Sequence, residues 1–473
     1  MQNEEEVWRL VEAKQDEFIG LSDRVWETPE LNFQEVRSAR EHVDMLREEG
    51  FRVTEGLAGI PTAVMGEAGE GGPVIAILGE YDALPGLSQE AGAAEHRPLP
   101  GQRAGHGCGH NLLGAGAMLA AAAVKDWLAA QGIAGRVRYY GCPAEEGGAA
   151  KTFMVRDGLF EDVDIAISWH PAPFAGVNEA RSLAILQVDY AFTGRASHAA
   201  ASPELGRSAL DAAELMNIGV NYLREHMPQG ARIHYAHLNS GGIAPNVVQS
   251  NAKLRYIVRA ADLPQLQALA VRVDRCAEGA AVMTETTVER TVVSGMSNLL
   301  GNAPLERTMF DNLQRLGPPP FDGEDRAFAE QIRGTVTQTD IDSAHQRFGI
   351  PITAAPLCDQ VVPLEARGAG MVGSTDVGDV SWAVPTVQMR GATYAIGTPG
   401  HSWQLTAQGK SPLAHKGMVH AAKVMAGTAV DVLADPALLA QAKAEHAARL
   451  ARTPYVSPLP EGLAPVLDMA AAA

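Results

Sequence analysis

The sequence predicts an α/β protein whose first domain has a mixed sheet with helices on both faces. A second, inserted domain is predicted to be α+β with a ferredoxin-like order. Short apolar segments typical of buried strands alternate with helical segments in the first third of the chain. The order changes to β-α-β-β-α-β near Leu183. With 473 residues, the chain is long enough for more than one domain.

The first domain begins with two stretches of helical spacing, at residues 4–27 and 35–49. The continuous apolar run PVIAILGEY, residues 73–81, predicts a strand buried on both faces. An Ala-rich helix is predicted at about residues 109–130. Its most apolar stretch, residues 112–124, is too short to span a bilayer and therefore predicts a buried helix. The next predicted elements are a strand at residues 136–142, a helix after Gly148 and a strand at residues 163–169.

The inserted domain is predicted at residues 186–296, so the first domain comprises residues 1–185 and 297–473. The elements of the insertion are a strand from Leu183, a helix at 208–224, strands near 233–238 and 253–259, a helix at 263–277 and a strand at 284–293. After the insertion, the strand-like PTVQMRG and a helix at residues 412–433 complete the first domain. The Pro- and Ala-rich tail after Thr453 is expected to add little to the fold.

The composition narrows the class of protein. Lys and Arg total 38 against 56 Asp and Glu, which gives a net charge of −18. Such an acidic surface repels phosphate backbones and anionic lipid, so neither nucleic acid nor a membrane is an expected partner. Four widely spaced cysteines without C-x-x-C favour neither a disulfide framework nor a zinc ribbon. The acidic start MQNEEEVWRL is unlike a signal peptide, so a cytoplasmic location is expected.

Several common enzyme motifs are absent from the sequence. There is no H-E-x-x-H helix of a zinc protease and no G-x-S-x-G nucleophile turn. No G-x-G-x-x-G opens a helix after a strand, and Gly409-Lys410-Ser411 lacks the earlier glycine of a phosphate loop. The sequence therefore lacks the motifs that usually indicate a dehydrogenase, a nucleotide hydrolase or a serine hydrolase.

Four short polar stretches end or interrupt apolar elements, and together they predict a metal site. Cys108 and His110 flank a glycine at the start of the Ala-rich helix, and thiolate and imidazole are the ligands that borderline-soft divalent metals prefer. Glu145 and Glu146 follow a strand, where one carboxylate is able to bind metal while the other deprotonates a water.

His170 ends the next strand and His401 lies in a late loop. Each of these residues alone is more typical of a structural role, and an isolated Glu-Glu pair is more often a solvated turn. Ligands gather at the carboxyl ends of strands in an open α/β sheet. The convergence of several such ends therefore predicts a site with enough donors for two ions.

The blocks GCGHNLLG, EEGGA and GHSW together resemble the metallo-amidohydrolases and peptidases related to aminoacylase and carboxypeptidase G. Within that family the chain is most similar to the branch that contains the bacterial p-aminobenzoyl-glutamate hydrolase, in its B-type subunit, and the plant auxin-conjugate hydrolases. The resemblance extends from about Ala13 to Ala434. It implies a homodimer, and a further, different subunit is an alternative.

The resemblance implies a dinuclear centre of zinc or manganese, and it assigns residue roles. Glu145 is the implied general base, and Asp82 in GEYDALP orients a metal-binding side chain. The implied metal ligands are Cys108, which bridges the two ions, together with His110, Glu146, His170 and His401.

The same resemblance assigns roles in the inserted domain. His198 is expected to contact the scissile carbonyl, usually from the partner subunit, and to be able to donate to a developing oxyanion. Asn246 and Arg259 are expected to hold the substrate carboxylate, and the planar guanidinium of arginine suits a carboxylate. Without the resemblance, a salt bridge at a strand end is the simpler interpretation of Arg259.

Three positions depart from the pattern of the family. Asn111 stands where many relatives have Asp, although the p-aminobenzoyl-glutamate branch shares the Asn. Gln249 stands where Pro is usual. Glu80 stands where carboxypeptidase G-like relatives have a histidine ligand, and Cys108 and His110 are expected to compensate.

The function that follows is metal-dependent hydrolysis of an amide bond, which releases a free amino acid from an N-acyl or aroyl amino acid. A substrate like p-aminobenzoyl-glutamate is the leading candidate. The nearest alternative is a dipeptidase or aminoacylase with the same chemistry. A second alternative is a non-catalytic metal-binding subunit, which the intact Glu145-Glu146 pair disfavours because a structural site needs no spare carboxylate.

Overall fold

The computed structural model describes residues 2–369 and 373–469. The strands form a seven-stranded sheet, a four-stranded sheet and a small two-stranded ribbon. The strands are β1 (Arg52–Glu55), β2 (Val64–Glu70), β3 (Val74–Glu80), β4 (Leu84–Pro85), β5 (Ala104–Gly105), β6 (Gly135–Cys142), β7 (Ile165–Ala172), β8 (Gly176–Val177), β9 (Ala184–Thr193), β10 (Arg232–Asn239), β11 (Asn251–Ala260), β12 (Thr287–Met296) and β13 (Thr386–Ala392). The helices are α1 (Gln2–Glu27), α2 (Val36–Glu48), α3 (His110–Gln131), α4 (Ala150–Arg156), α5 (Ala209–Leu223), α6 (Leu263–Thr284), α7 (Ala303–Leu316), α8 (Gly323–Arg333), α9 (Gln338–Phe348), α10 (Val377–Ala383), α11 (Trp403–Gln408), α12 (Pro412–Ala434) and α13 (Pro436–Arg452).

The large sheet has the strand order β1-β2-β6-β3-β7-β13-β8. Its four central strands, β6, β3, β7 and β13, are parallel, and the outer strands pair antiparallel with their neighbours. All seven residues of β3 are buried, as expected of a strand covered by helices on both faces. The predicted mixed α/β fold is confirmed. Because parallel strands end at the same edge, the residues that follow β3, β6 and β7 meet there.

Helix α3 is the central helix of the large domain and packs against α1, α12 and β3. It has 22 residues and is apolar enough to cross a membrane by length and composition, but 83% of its most apolar window is buried inside the protein. The helix extends well beyond the apolar stretch at residues 112–124, and the prediction that it is buried is confirmed. Its burial against other elements identifies it as a core helix, and its first residue, His110, is fully buried.

The inserted domain consists of the antiparallel sheet β10-β11-β9-β12 with α5 and α6 packed on it. This sheet spans the chain from Ala184 to Met296. Helix α6 continues to Thr284, so the strand predicted from that residue begins only at Thr287. The helix is longer because Ala280 and Ala281 continue its buried face, and it ends where Glu285 takes a left-handed conformation with φ 53°.

The tail after Thr453 contributes to the fold, which corrects the expectation that it adds little. Leu459 is buried, and the hydroxyl of Tyr455 donates a hydrogen bond of 2.8 Å to Asp379 Oδ1. Arg156 on α4 donates to the carbonyl of Leu463. The tail therefore packs against α4 and α10.

Candidate metal centre

The structure brings the predicted metal-binding side chains together at the carboxyl edge of the large sheet. Three overlapping groups have ligand atoms that all lie within 4.8 Å of one another: Cys108 with His110 and His170, Cys108 with Glu146 and His401, and Glu80 with His110 and Glu145. The first two groups contain all five ligands that the resemblance implied. Cys108 belongs to both, which is the position that a ligand shared by two ions would occupy.

The turn before α3 determines where Cys108 and His110 point. Gly109 between them has φ 80°, a left-handed conformation that residues with a Cβ rarely adopt. A Cβ at this position would also lie 3.0 Å from the ring of Pro171. Glycine is therefore required for the chain to reverse between the two donors and approach the end of β7.

Asp82 orients both His110 and the loop that carries Glu146. Nδ1 of His110 donates a 2.8 Å hydrogen bond to Oδ1 of Asp82, and the backbone N–H of Glu146 donates to Oδ2 at 2.9 Å. Burial lowers the pKa of His110, but the negative charges of Cys108 and Asp82 outweigh it and raise that pKa well above its ordinary value. With Nδ1 held by a carboxylate, Nε2 is the nitrogen left to face the site.

Glu145 and Glu146 lie in a tight loop between β6 and α4. Ala144 and Ala149 on either side of the pair have φ 55° and 57°, which is costly for residues with a side chain. The buried carboxylate of Glu35 supports the loop by accepting a 3.0 Å hydrogen bond from the N–H of Ala144. The loop is therefore held in a conformation that presents both carboxylates at the end of the strand.

The Glu145 side chain makes no hydrogen bond within the part of the chain that the structure describes. Burial raises its pKa well above the ordinary value, and the nearby carboxylates of Glu80 and Glu146 raise it further. A carboxyl group that holds its proton more tightly is suited to accept a proton from water and return it later.

His170 and His401 close the ligand set from β7 and from the loop before α11. Nδ1 of His170 donates to the carbonyl of Pro171 at 2.8 Å, which leaves Nε2 at 3.4 Å from the sulfur of Cys108. Burial and the charge of Arg390 lower the pKa of His170 well below its ordinary value, so its imidazole is neutral, as a metal ligand must be. Nε2 of His401 lies 3.3 Å from Oε1 of Glu146.

The donor set fits divalent cations. Nε2 of His110, Oε2 of Glu80 and Oε1 of Glu146 are buried atoms without a hydrogen-bond partner in the described residues. Nε2 of His110 and Oε2 of Glu80 face each other at 3.3 Å. Unpaired buried polar atoms are costly, and a cation between them would satisfy several at once. Burial and Glu146 raise the pKa of the Cys108 thiol, an effect that a coordinating cation reverses.

Lys151 and Asp376 form a buried charge cluster with Glu80 that the sequence analysis missed. Nζ of Lys151 lies 2.6 Å from Oε1 of Glu80 and 2.7 Å from Oδ1 of Asp376, and all three side chains are almost completely buried. Glu80 thus directs one oxygen toward Lys151 and the other toward His110. The position of Glu80 at the end of β3 indicated that it lies at the ligand-binding edge of the sheet. Its interaction with Lys151 and Asp376 was not predictable, because these residues are 71 and 296 positions further along the chain.

The structure does not bring all the residues implied for the inserted domain to this site. His198 and Asn246 lie together on an exposed loop surface, where the N–H of Ala199 donates to the carbonyl of Asn246 at 3.0 Å. Nδ1 of His198 accepts two backbone N–H groups, which leaves Nε2 free. Arg259 is half-buried and donates a 2.8 Å hydrogen bond to Ser374, which lines the cavity next to Glu145. The simpler interpretation of Arg259 as part of a salt bridge is wrong within the described residues.

Comparison with known proteins agrees with this geometry. The sequence model of peptidase family M20/M25/M40 matches residues 76–431. The chain is 45% identical to the B-type subunit of p-aminobenzoyl-glutamate hydrolase from Escherichia coli K12, over 98% of this chain and 99% of the relative. It is 30% identical to the Xaa-Arg dipeptidase of Mus musculus, over 91% of this chain and 89% of the relative.

Two solved structures share the fold. One is a dinuclear metal binding peptidase of the M20 family from Bacillus subtilis, with a TM-score of 0.58, 21% identity and coverage of 89% of this chain and 99% of that chain. The other is an aminobenzoyl-glutamate utilization protein from Klebsiella pneumoniae, with a TM-score of 0.61, 18% identity and coverage of 89% and 97%.

Replacing Asp82→Asn is expected to weaken metal binding by about 10- to 100-fold, because His110 loses its charged partner and an amide NH₂ faces the N–H of Glu146. Competition with a chromogenic chelator measures this affinity. The exposed Asp16→Asn variant is the control and is expected to bind metal as the wild type does. Equal affinities in all three proteins would show that Asp82 does not hold His110 for metal.

Replacing Lys151→Met is expected to destabilise the metal-free protein by about 3–5 kcal/mol, because two buried carboxylates lose their cation. Denaturant unfolding in the presence of a chelator measures the change. The control is Lys443→Met, which breaks the exposed pair with Asp164 and is expected to cost at most about 1 kcal/mol. Adding Asp376→Asn to Lys151→Met is expected to restore part of the stability. A Lys151→Met protein as stable as the control would contradict the charge compensation.

Proposed function

The chain belongs to the peptidase family M20/M25/M40, a family of dinuclear-metal hydrolases of amide bonds, and on that premise we propose that it releases the amino acid from aroyl amino acids such as p-aminobenzoyl-glutamate. The observation that carries this proposal is a buried, unpartnered carboxylate, Glu145, beside donors for two cations. A site that only binds metal needs no such group. The cytoplasmic location stays a prediction from the sequence.

Cys108, His110, Glu146, His170 and His401 would hold the cations, and Cys108, which belongs to both donor groups, would be the shared ligand. When bound, two cations would lower the pKa of a water to about 7. Glu145 takes the proton of that water and later returns it to the nitrogen of the leaving amine. Glu80 is a further candidate ligand through the oxygen that faces His110. Mixed sulfur, nitrogen and carboxylate donors suit either zinc or manganese, and metal analysis of the purified protein distinguishes the two.

The substrate carboxylate is assigned to Arg259 and Asn246, and the developing oxyanion to His198. His198 and Asn246 are exposed, and we propose that a second copy of the chain brings them to the site. The edge strand β10 supports this assembly, because its residues from His234 to Asn239 are exposed and its outer edge is unpaired among the described residues. We propose a homodimer in which each inserted domain completes the site of its partner.

Two related functions are tested by the same assays. A dipeptidase or an aminoacylase would share the metal site and differ in the side chains that it accepts, and similarity to an Xaa-Arg dipeptidase keeps that alternative open. A panel of aroyl-glutamates, acetyl amino acids and dipeptides separates these activities. The relative from E. coli is named as one of two different subunits of its hydrolase. A requirement for such a second subunit would appear as metal binding without hydrolysis by this chain alone.

Replacing Glu145→Gln is expected to leave the metal content unchanged and to lower turnover by about 10²–10⁴-fold, because the base is lost while the ligands remain. The neighbouring Glu146→Gln variant is expected to lose metal, because it removes a ligand from the group that includes Cys108 and His401. Metal analysis and amino-acid release are measured on the same samples, with the exposed Glu289→Gln as the control. Near-normal turnover of Glu145→Gln would exclude Glu145 as the base.

Mixing His198→Ala with Glu145→Gln is expected to restore about a quarter of wild-type activity, because half of the dimers in a random mixture contain one intact composite site. The matched control mixes Glu145→Gln with Glu146→Gln, which damages the same site in every chain and restores nothing. Differently tagged chains report whether subunits exchange. Exchange without recovered activity would show that each chain works alone.

A further inference from the structure

A cavity of about 960 Å³ opens beside the metal centre and extends away from it along β13, α9 and the loop before α10. Glu145 and His170 line its inner end, whereas Cys108, Glu146 and His401 do not line it. Glu145 is the group that delivers a proton to the leaving amine. The fragment that carries this amine, which is the amino acid, therefore occupies the cavity.

Arg390 on β13 points into this cavity next to the metal centre. It lies opposite His170 in the parallel pairing of β13 with β7 and is one of the cavity-lining residues. Its Nε donates a 2.9 Å hydrogen bond to Oδ1 of Asn178, and Nδ2 of Asn178 donates to Gln388 at 2.8 Å. One edge of the guanidinium is thus fixed, and the edge with the two terminal nitrogens has no partner in the described residues.

Arg390 differs from the other arginines around the cavity because it is both sheltered from water and without a carboxylate partner among the described residues. Three of these arginines have carboxylate partners: Arg181 with Glu179, Arg307 with Glu365 and Arg449 with Glu445. Arg347 and Arg367 have none among the described residues, but both are exposed, so water is able to solvate them. Arg390 is half-buried, and a cation sheltered from water without an anion is costly.

Two further features indicate an anionic ligand at Arg390. The phenol of Tyr394 lines the same part of the cavity and makes no hydrogen bond within the described ranges, so it is a second free donor. Burial also lowers the pKa of the Arg390 guanidinium. A bound carboxylate would offset this burial through two parallel N–H···O bonds. A guanidinium and a phenol that are both free to donate favour an anionic group in this part of the cavity.

We propose that Arg390 binds the side-chain carboxylate of the amino acid to be released, while Arg259 takes its α-carboxylate. The preferred substrates are then N-acyl derivatives of acidic amino acids, with two carboxylates on the leaving fragment. This inference rests on the proposed function, because the leaving amino acid is placed in the cavity by the role of Glu145. It makes Arg390 the residue that selects the side chain.

The test compares N-benzoyl-glutamate with N-benzoyl-glutamine, which differ only in the charge of the side chain. Wild-type enzyme is expected to have a higher kcat/KM for the glutamate derivative, and Arg390→Gln is expected to lower that preference by about 10- to 100-fold. Arg390→Lys keeps the charge without the planar fork and is expected to lie between the two. Arg307→Gln, which alters a paired arginine at the same cavity, is the control and is expected to keep the wild-type ratio.

Calorimetric titration with free glutamate and glutamine provides a second readout that does not depend on turnover. Metal-loaded wild-type protein is expected to bind glutamate more tightly, and Arg390→Gln is expected to lose that difference at unchanged metal content. If the wild type hydrolyses none of the substrates, the activity proposed for this chain alone fails, and the titration still decides the role of Arg390.

Two outcomes would overturn the proposal. An equal loss on both benzoyl substrates in Arg390→Gln would place Arg390 at the reacting group instead of the side chain. A wild-type preference for N-succinyl-leucine over N-benzoyl-glutamate, lost in Arg390→Gln, would place the bound anion on the acyl group.

Discussion

Negative charge at the carboxyl ends of the central strands has to be compensated inside the protein, and the arrangement of the site follows from this constraint. Glu80, Asp82, Glu145 and Glu146 lie within one small volume, together with a cysteine sulfur. The only lysine among the fully buried side chains of the described residues, Lys151, balances the back of this cluster. On the side that faces the metal centre, three buried polar atoms lack partners in the described residues, and bound cations would satisfy them. Folding brings these buried charges together, and metal binding would offset the electrostatic cost that Lys151 does not compensate. Folding and metal binding are therefore coupled.

The strand topology explains how side chains distant in sequence meet. Adjacent parallel strands β6, β3 and β7 end at one edge, and each delivers one part of the site in the turn that follows or in its last residues. The chain accepts unfavourable backbone at these turns, with alanines at positive φ on both sides of the Glu145-Glu146 pair and a positive φ at His401. Such strain persists where surrounding hydrogen bonds hold the backbone in place. Here Asp82 and Glu35 accept these bonds from the N–H groups of Glu146 and Ala144.

The site divides into a part that performs hydrolysis and a part that selects the substrate. The candidate metal ligands and Glu145 all come from the large domain and lie at the carboxyl edge of its sheet. The selective part uses the inserted domain and the cavity along β13, where one guanidinium is held by hydrogen bonds and remains unpaired. This division lets a family keep one reaction while the cavity changes, which is consistent with the different substrates in the names of the relatives.

The sequence by itself determined the fold class, the family and the ligand types, because these depend on local periodicity and on short motifs such as GCGH and EEGGA. It did not predict the end of α6, the packing of the tail, or the helices α7 to α10, although α7, α8 and α9 each bury one face and expose the other. Only the tertiary structure decided that Glu80 shares a buried lysine with Asp376 and that Arg390 has no carboxylate partner among the described residues. Both facts depend on which charged side chains from distant segments of the chain lie next to each other in the fold. Ion pairs between residues so far apart in sequence leave no local sequence pattern that could predict them.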